Sequence, residues 1–221
     1  IIEFINQYKT DIDKLHISFF EAMTALALWY FNKYSVDIAI LETGLGGRLD
    51  SVSICNPELL IFTQISLDHQ HILGSTVEQI AHEKAGAIKK NSICISSQQQ
   101  QTVQHILNQK AKELNSTIVY ITPIKKNINL NGAHQAINQA LAIKAVKSIN
   151  KFHVQDQDIK LGIKTIKWPG RIQKIQNKPI IFFDVAHNVD SFLSLCSFIQ
   201  TVHIKGKKIL VLALQQNKNI E

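Results

Sequence analysis

Apolar and polar positions along this 221-residue chain follow two patterns, one typical of buried strands and one typical of helices. Short, continuous apolar runs rich in β-branched residues predict strands of a parallel sheet that is covered on both faces. Longer runs that open with an S-x-x-E sequence predict helices with capped N-termini. Because the two kinds of segment alternate along the chain, the pattern predicts an α/β fold.

The predicted elements divide the chain into three parts. Strands are predicted at 36–41, 58–65, 92–96, 117–121, 179–185 and 207–214, and helices at 18–31, 75–90, 99–114, 131–149 and 189–202. The polar stretch 151–166 shows neither pattern, so we expect a linker there. We therefore predict a first domain over 1–150, with a mostly parallel sheet flanked by helices, and the beginning of a Rossmann-like domain over 167–221. The apolar helix 18–31 is expected to be mostly buried.

Composition and charge narrow the classes of protein. No apolar run approaches the ~20 residues that span a bilayer, and the first residues do not form a signal peptide. The three cysteines are widely spaced and lack a CxxC pair, which argues against a disulfide framework or a zinc site and favours a reducing cytoplasm. The formal charge is +7, but the lysines are scattered, so an anionic small molecule fits this charge as well as a nucleic acid does.

The first candidate site follows the strand predicted at 36–41, in the sequence ETGLGGRLD from Glu42 to Asp50. Ligand sites in open α/β sheets lie at the carboxyl ends of strands, where Glu42 is expected. Its carboxylate can bind Mg²⁺, or it can accept hydrogen bonds from backbone amides of the glycine turn. The glycines match neither G-x-G-x-x-G nor G-x-x-x-x-G-K-[ST], so the turn is not a phosphate loop of either kind.

A second candidate follows the next predicted strand, where Asp68, His69 and His71 occur within ISLDHQHILG. If the two strands are parallel neighbours, this loop lies at the same edge of the sheet as Glu42. A histidine and a carboxylate that converge there can bind a metal. Taken alone, an Asp-His pair is more often a hydrogen-bonded loop pair than a set of ligands.

Lys84 is the third candidate, in the middle of the predicted helix 75–90 with small alanines around it. Confinement of this kind can lower the pKa of a lysine and make its amine reactive. The alternative is a surface pair with the adjacent Glu83.

Polar residues on the predicted helix 131–149 form a fourth candidate. His134, Gln135 and Asn138 fall on neighbouring turns, so their imidazole and amide groups lie on one side of the helix.

The last candidate combines WPGR with FFDVAHN. Arg171 carries an always-charged guanidinium that suits phosphate, and Asp184 ends a strand where it can accept hydrogen bonds from a ribose or purine. His187 and Asn188 open the last predicted helix, whose N-terminus favours anions.

Six blocks of the sequence form an ordered set over essentially the whole chain. They are FFEAMTALALWYF, ETGLGGRLD, ISLDHQHILGSTVEQIAHEKAGAIK, GAHQAINQALA, WPGR and FDVAHN. The set resembles the bifunctional dihydrofolate synthase/folylpolyglutamate synthase family, in the Mur ligase superfamily. The EKAG and DxAHN blocks are quite specific.

The resemblance implies an ATP-dependent ligase of folate biosynthesis. Such an enzyme adds L-glutamate to dihydropteroate or to tetrahydrofolate (poly)glutamate through an acyl phosphate. The resemblance implies Mg²⁺ as cofactor, ATP as co-substrate and small-molecule substrates only, with no nucleic acid or membrane as partner. It also implies a monomer in the cytoplasm.

The resemblance also implies roles for individual residues by their position in the motifs. Glu42 and His69 would bind Mg²⁺, and His69 would also be catalytic. Lys84 would be a catalytic lysine that is carboxylated by CO₂. ATP would be contacted by Asn138, Arg171, Asp184 and His187, and the pterin site would be lined by Ser18, Phe19, Phe20 and Glu21.

The sequence departs from the family pattern in several places. The run after the glycine turn reads LDSVSIC and lacks the usual Thr-Asn pair, and Val189 replaces the usual proline after AHN. The family's G-x-N-G-K-G phosphate loop, which belongs upstream of Ser18, is missing. We therefore expect the middle of a longer ligase, with little or no turnover by this chain alone.

Two other functions remain open at this point. The chain could be a non-catalytic remnant that binds folate or nucleotide, or a Mur-type ligase that acts on a cell-wall precursor. The SFFEAMTALAL block and the spacing from WPGR to DVAHN favour the folate branch.

Overall fold

The computed structural model describes residues 1–125, 128–203 and 205–214. The helices are α1 Ile2–Leu15, α2 Phe19–Lys33, α3 Gln70–Leu73, α4 Val77–Ala85, α5 Gln101–Glu113, α6 Gln135–Ser148, α7 Asp156–Thr165 and α8 Val189–Thr201. The strands are β1 Leu60–Phe62, β2 Ile93–Ser97, β3 Thr117–Ile121, β4 Gln173–Asn177 and β5 Ile180–Phe183. A short 3₁₀ helix spans Ser51–Ile54.

A parallel sheet in the order β1-β2-β3 forms the centre of the molecule. Alternate residues of β2 face opposite sides, as the pleat of a strand requires. Cys94 packs in one apolar cluster with α4 and α5, whereas Ile95 packs in another with Leu141 of α6. The sheet is therefore covered by helices on both faces, and the predicted α/β fold with parallel strands is confirmed.

The later part of the chain has a different construction. β4 and β5 pair antiparallel as a hairpin, and α8 follows them. Neither strand contains a fully buried residue, and neither does α8. This part of the chain is therefore a local hairpin followed by a helix, and the Rossmann-like domain expected over 167–221 stays a prediction.

Two predicted strands are not formed in the described part of the chain. Residues 36–41 have no strand structure and 90% of Ile40 is exposed; residues 207–214 are likewise unpaired, with Val211 91% exposed. An extended segment becomes a strand only when a neighbouring segment supplies the hydrogen-bonded ladder. The strand predictions for 36–41 and 207–214 are therefore wrong, because neither segment forms a ladder with another described segment.

Several helix predictions also need correction. α2 is mostly exposed, with Thr24 as its buried residue, although its apolar sequence predicted burial. Residues 156–165, inside the expected linker, form α7, and α1 was not predicted. The division of the chain into domains stays a prediction. None of the helices in the described ranges has both the length and the apolar character that a membrane crossing requires.

Candidate functional site

The glycine turn docks directly against the backbone of α4. The amide of Arg48 donates to the carbonyl of Glu83 at 2.8 Å. A Cβ on Gly47 would lie 2.9 Å from the carbonyl oxygens of both Glu83 and Lys84, so any side chain there would collide with the helix. Gly46 has φ of +67°, which glycine adopts without strain. The glycines therefore serve close packing beside Lys84, in agreement with the absence of a phosphate-loop pattern.

Asp50 closes this turn through two backbone hydrogen bonds. Its carboxylate accepts from the amide of Leu45 at 2.8 Å and from the amide of Val52 at 3.0 Å. The backbone-capping role considered for Glu42 thus belongs to Asp50, and the Glu42 side chain is exposed at the end of the unpaired segment. Asp50 was not among the predicted site residues, although an Asp at the N-cap of a short helix is a local signal.

The Lys84 side chain is partly buried, as the alanines around it in the sequence predicted. Burial lowers the pKa of Lys84, and the negative charges of Asp68 and Asp50 offset part of that change. The alternative of a Glu83–Lys84 surface pair is wrong, because Glu83 forms its ion pair with Arg48 at 2.9 Å. A lowered pKa leaves more of the amine neutral, which is the form that reacts with an electrophile.

The loop after β1 faces Lys84 across a small pocket of about 190 Å³. Asp68, His69 and Ser66 line one side of it, and the glycine turn from Thr43 to Gly46 lines another. His69 has φ of +50°, a left-handed conformation that is uncommon outside glycine. Its amide donates to Asp68 Oδ1 at 2.8 Å, so the Asp-His pair is hydrogen-bonded through the backbone.

The predicted pterin-binding residues lie at the start of α2. Ser18 and Glu21 form the predicted capping box: the Ser18 amide donates to Glu21 Oε2 at 2.7 Å, and the Glu21 amide donates to Ser18 Oγ at 3.3 Å. The Phe20 ring lies against Gly44, where a Cβ would come within 2.5 Å of it. Phe19 is 82% exposed. The structure therefore brings Phe20, but not Phe19, to the glycine turn.

A chain of hydrogen bonds joins the polar residues at the start of α6. Gln135 Nε2 and His134 Nε2 are 2.9 Å apart, and Asn138 Nδ2 donates to Gln135 Oε1 at 3.2 Å. The predicted common side of these three residues is confirmed. Gln135 is buried whereas Asn138 is exposed, so a ligand can reach the Asn138 side chain.

Asp184 organises the turn that carries Arg171. Its carboxylate accepts from the amide of Ile172 at 2.7 Å and from the amide of Ala186 at 2.8 Å. Ile172 has φ of +46°, which is strained for a β-branched residue. Asn131 Nδ2 donates to the Ile172 carbonyl at 2.8 Å, so side chains hold this residue from both ends. Asn131 was not predicted, because nothing local in the sequence indicates a contact 41 residues away.

The residues that open α8 reach the loop after β1. Asn188 Nδ2 donates to Asp68 Oδ2 at 2.8 Å, and His187 Nε2 lies 3.6 Å from the same oxygen. His187 Nδ1 is 2.9 Å from the Val185 carbonyl, which can only accept, so Nδ1 carries a proton. The predicted nucleotide-binding motif is therefore next to the pocket that contains Lys84.

Asp68 and His69 supply a carboxylate and an imidazole to the lining of the pocket. The described residues contain no group of three or more His, Cys, Asp or Glu side chains that could hold a metal. Mg²⁺ usually takes one or two carboxylates and completes its coordination with phosphate oxygens and water. Such sparse protein ligation fits Mg²⁺ that arrives with a nucleotide, whereas it does not fit a closed metal site.

A larger groove of about 430 Å³ lies between α4 and α5. Its lining includes Arg48, His82 and Lys110 but none of the predicted site residues. The candidate site is therefore the smaller pocket.

Solved structures of known proteins agree with the class of protein that the sequence resemblance implies. The fold is that of a solved FPGS complex with AMPPCP and folate, with a TM-score of 0.86 at 26% identity over 92% of this chain and 58% of that one. This is the Mur-ligase-like α/β fold. No protein-family model matches the sequence.

Sequence relatives belong to one family within that class. The dihydrofolate synthase/folylpolyglutamate synthase of Bacillus subtilis (strain 168) is 31% identical over 97% of this chain and 58% of the relative. The folylpolyglutamate synthase of Lacticaseibacillus casei is 29% identical over 90% of this chain and 52% of the relative. The relatives that match most of this chain are dihydrofolate synthases/folylpolyglutamate synthases, the family that the six blocks resemble. It spans about half the length of the curated relatives it matches.

Proposed function

We propose that this chain forms part of the active site of an ATP-dependent ligase that joins L-glutamate to dihydropteroate or to a folate. The carboxylate of the acid takes the terminal phosphoryl group of ATP and ADP leaves. The glutamate amine then attacks the acyl phosphate, so that phosphate leaves and an amide forms. The observation that carries the proposal is the pocket where Lys84 faces Asp68 and His69 beside the glycine turn. The FPGS relative solved with AMPPCP and folate supports both substrate classes.

Lys84 is proposed to react with CO₂. The neutral amine attacks the carbon, an N–C bond forms and a proton is lost, which converts a cation into an anionic carbamate. Burial lowers the pKa of Lys84 and so increases the neutral fraction from which this reaction starts. A carbamate, Glu42 and His69 together would offer ligands to a Mg²⁺ ion, which would supply positive charge near the phosphates.

The residues around α6 and the hairpin are proposed to bind ATP. Arg171 is exposed, and its backbone neighbour Ile172 is held by Asp184, so the guanidinium extends from a fixed turn. Guanidinium groups pair well with phosphate oxygens. Asn138 offers an exposed amide, and His187 lies at the N-terminus of α8, where the helix dipole favours anions. The Asp184 carboxylate holds the turn and retains lone pairs for a ribose.

The start of α2 is proposed to bind the pterin. Ser18 and Glu21 fix the first turn of the helix, and Phe20 and Phe19 present aromatic rings there. An exposed ring such as Phe19 can stack on a flat heterocycle. The contact of Phe20 with Gly44 would place that heterocycle near the glycine turn.

The proposal also covers the cellular compartment, the oligomeric state and the partners of the enzyme. A cytoplasmic monomer that uses only small molecules fits three free cysteines and a scattered positive charge. The domain division at 151–166 is part of the same proposal.

The test is a single-turnover reaction with the 221-residue chain in molar excess over dihydropteroate. The excess makes a single round of reaction detectable, because little or no turnover is expected of this chain alone. With ATP, Mg²⁺ and glutamate, mass spectrometry should detect the glutamate amide together with an equal amount of ADP. Lys84→Met should abolish the product, whereas the matched change at the exposed lysine, Lys90→Met, should leave it unchanged.

Other outcomes separate the alternatives. AMPPCP binding without any amide would favour a nucleotide-binding fragment. A folded chain that neither forms the amide nor binds AMPPCP would contradict the proposal.

A further inference from the structure

The Asn188 side chain makes two hydrogen bonds of different kinds. Its carbonyl oxygen accepts from the amide of Ser191 at 2.9 Å and so caps the N-terminus of α8. Its Nδ2 donates to Asp68 Oδ2 at 2.8 Å, although Asp68 lies 120 residues earlier in the chain. One side chain therefore fixes its own helix and at the same time reaches the pocket loop.

Asp68 is bonded through both carboxylate oxygens. Oδ1 accepts from the His69 amide at 2.8 Å, and Oδ2 accepts from Asn188. The Asp68 side chain is 24% exposed, so both bonds are largely shielded from water. Hydrogen bonds to an ionised, partly shielded carboxylate are stronger than those between neutral groups. The contact therefore constrains the loop more firmly than an exposed pair would.

The choice of Asn at position 188 is informative because a helix cap alone does not require it. Ser, Thr and Asp all cap helices by accepting a hydrogen bond, as the carbonyl oxygen of Asn188 does. Of these cap residues, Asn also offers an NH₂ group with two donors. An Asp in the same place would set one carboxylate against another. The donor is thus explained by Asp68 and not by α8.

We propose that Asn188 is a positioning residue that, through Asp68, fixes the His69 loop relative to the N-terminus of α8 and so joins the two sides of a Mg²⁺–nucleotide site. One side consists of Asp68, His69 and Lys84, and the other of His187 and the first turn of α8. The ligand named here rests on the proposed function, whereas the contact that fixes the loop does not.

The test exchanges the two side chains. Asn188→Asp keeps the cap oxygen but turns a carboxylate toward Asp68, and Asp68→Asn keeps an acceptor for the His69 amide but turns an amide toward Asn188. In the double variant, one amide again faces one carboxylate. Thr76→Asp is the matched control, because Thr76 caps α4 in the same way, by accepting from the amide of Gln79, and makes no bond to Asn188 or Asp68 among the contacts described.

Two measurements are made on the 221-residue chain. The first is the affinity for Mg²⁺–AMPPCP by calorimetry, and the second is the hydrogen exchange of backbone amides in 66–73. Each single swap should weaken affinity about 10-fold, equivalent to ~1.4 kcal/mol, and should speed exchange in the loop. The double variant should recover most of the lost affinity, because the effects of two residues that share a hydrogen bond do not simply add. Thr76→Asp should change neither quantity.

The outcomes decide the inference in every case. The inference would be overturned if the single variants left affinity and hydrogen exchange unchanged or bound Mg²⁺–AMPPCP more tightly. It would also be overturned if the double variant recovered neither quantity. If the original chain does not bind AMPPCP, the nucleotide part of the proposed function fails. In that case, the positioning role is still supported if hydrogen exchange in 66–73 is faster in both single variants and returns to the original rate in the double variant. Any other pattern of exchange would overturn it.

Discussion

The parallel sheet and the β4–β5 hairpin contribute to the same candidate site but are stabilised in different ways. Around the sheet, side chains such as Ile80, Val103 and Leu107 are fully buried between strands and helices. The hairpin and α8 contain no fully buried residue, and Leu193 of α8 is 60% exposed. Burial of apolar area is the main source of stability, so the sheet should be much the more resistant to local unfolding.

The difference shows how the candidate site is assembled. Lys84 lies on a helix that packs into the core beside the sheet, whereas Arg171, Asp184 and His187 lie on the weakly packed part. Apart from the buried Ile172, the position of the second group depends on individual polar contacts, among them those that Asp68 and Asn131 make with it. Core packing sets the location of Lys84, whereas hydrogen bonds contribute more to the location of the residues opposite.

The largest expected effect comes from the same substitution made in both regions. Leu107→Ala removes a buried side chain, leaves a cavity and should lower the free energy of unfolding by about 2–5 kcal/mol. Leu193→Ala, on the exposed face of α8, should change it by less than about 0.5 kcal/mol. Urea denaturation of the two variants measures this. Equal effects would show that the two regions do not differ in packing.

Alanine substitutions at two glycines should change the stability by smaller amounts and in opposite directions. Gly47→Ala places a methyl group 2.9 Å from two carbonyl oxygens of α4 and should destabilise the chain by about 1–3 kcal/mol. Gly162→Ala in α7 meets no atom within 4 Å and should stabilise the chain by about 0.5–1 kcal/mol, because alanine favours a helix more than glycine does. Thermal unfolding distinguishes them, and a tolerated Gly47→Ala would contradict the close docking of the glycine turn.

A loss of about 1 kcal/mol is expected for Asn131→Ala, which removes the hydrogen bond to the strained Ile172. Hydrogen exchange should rise around 170–175, while the sheet strands keep their protection. Asn56→Ala, at an exposed position, is the control and should change neither. Uniform loss of protection over the sheet would mean that the two regions unfold together.

The smallest effect should be a pH dependence that comes from Lys84. Because burial lowers its pKa in the folded state, the unfolded chain binds more protons between that lowered pKa and the usual 10.5, so stability rises with pH across this interval. Lys84→Met should therefore be most stabilising, relative to the original chain, at pH below the interval, and the advantage should shrink as pH rises through it. Denaturation at a series of pH values checks this trend. A constant difference would show that the Lys84 pKa is not lowered.

The sheet was predictable because its signals are local. β3 coincides with the predicted 117–121, and the Ser18 capping box is formed as expected. The cap of α4 lies one residue from the expected position, because Thr76 with Gln79 fulfils the role expected of Ser75 with Glu78. α1 could also have been predicted, since its apolar residues recur at helical spacing.

What the sequence could not supply was the identity of distant partners. Residues 36–41 have a strand's composition, but a strand depends on a neighbour that the local pattern does not reveal. The bonds from Asn188 to Asp68 and from Asn131 to Ile172 join residues 120 and 41 positions apart. Candidate residues were therefore recognised by type and motif, whereas the contacts that place them needed the structure.

The most direct test of the ligase site is ¹³C NMR of the 221-residue chain in ¹³C-labelled bicarbonate. A carboxylated Lys84 should give a carbamate resonance that disappears in Lys84→Arg and persists in Lys90→Arg, at the exposed lysine. The absence of any carbamate resonance, or a resonance that survives Lys84→Arg, would contradict the assignment of Lys84 as the reactive centre of the site.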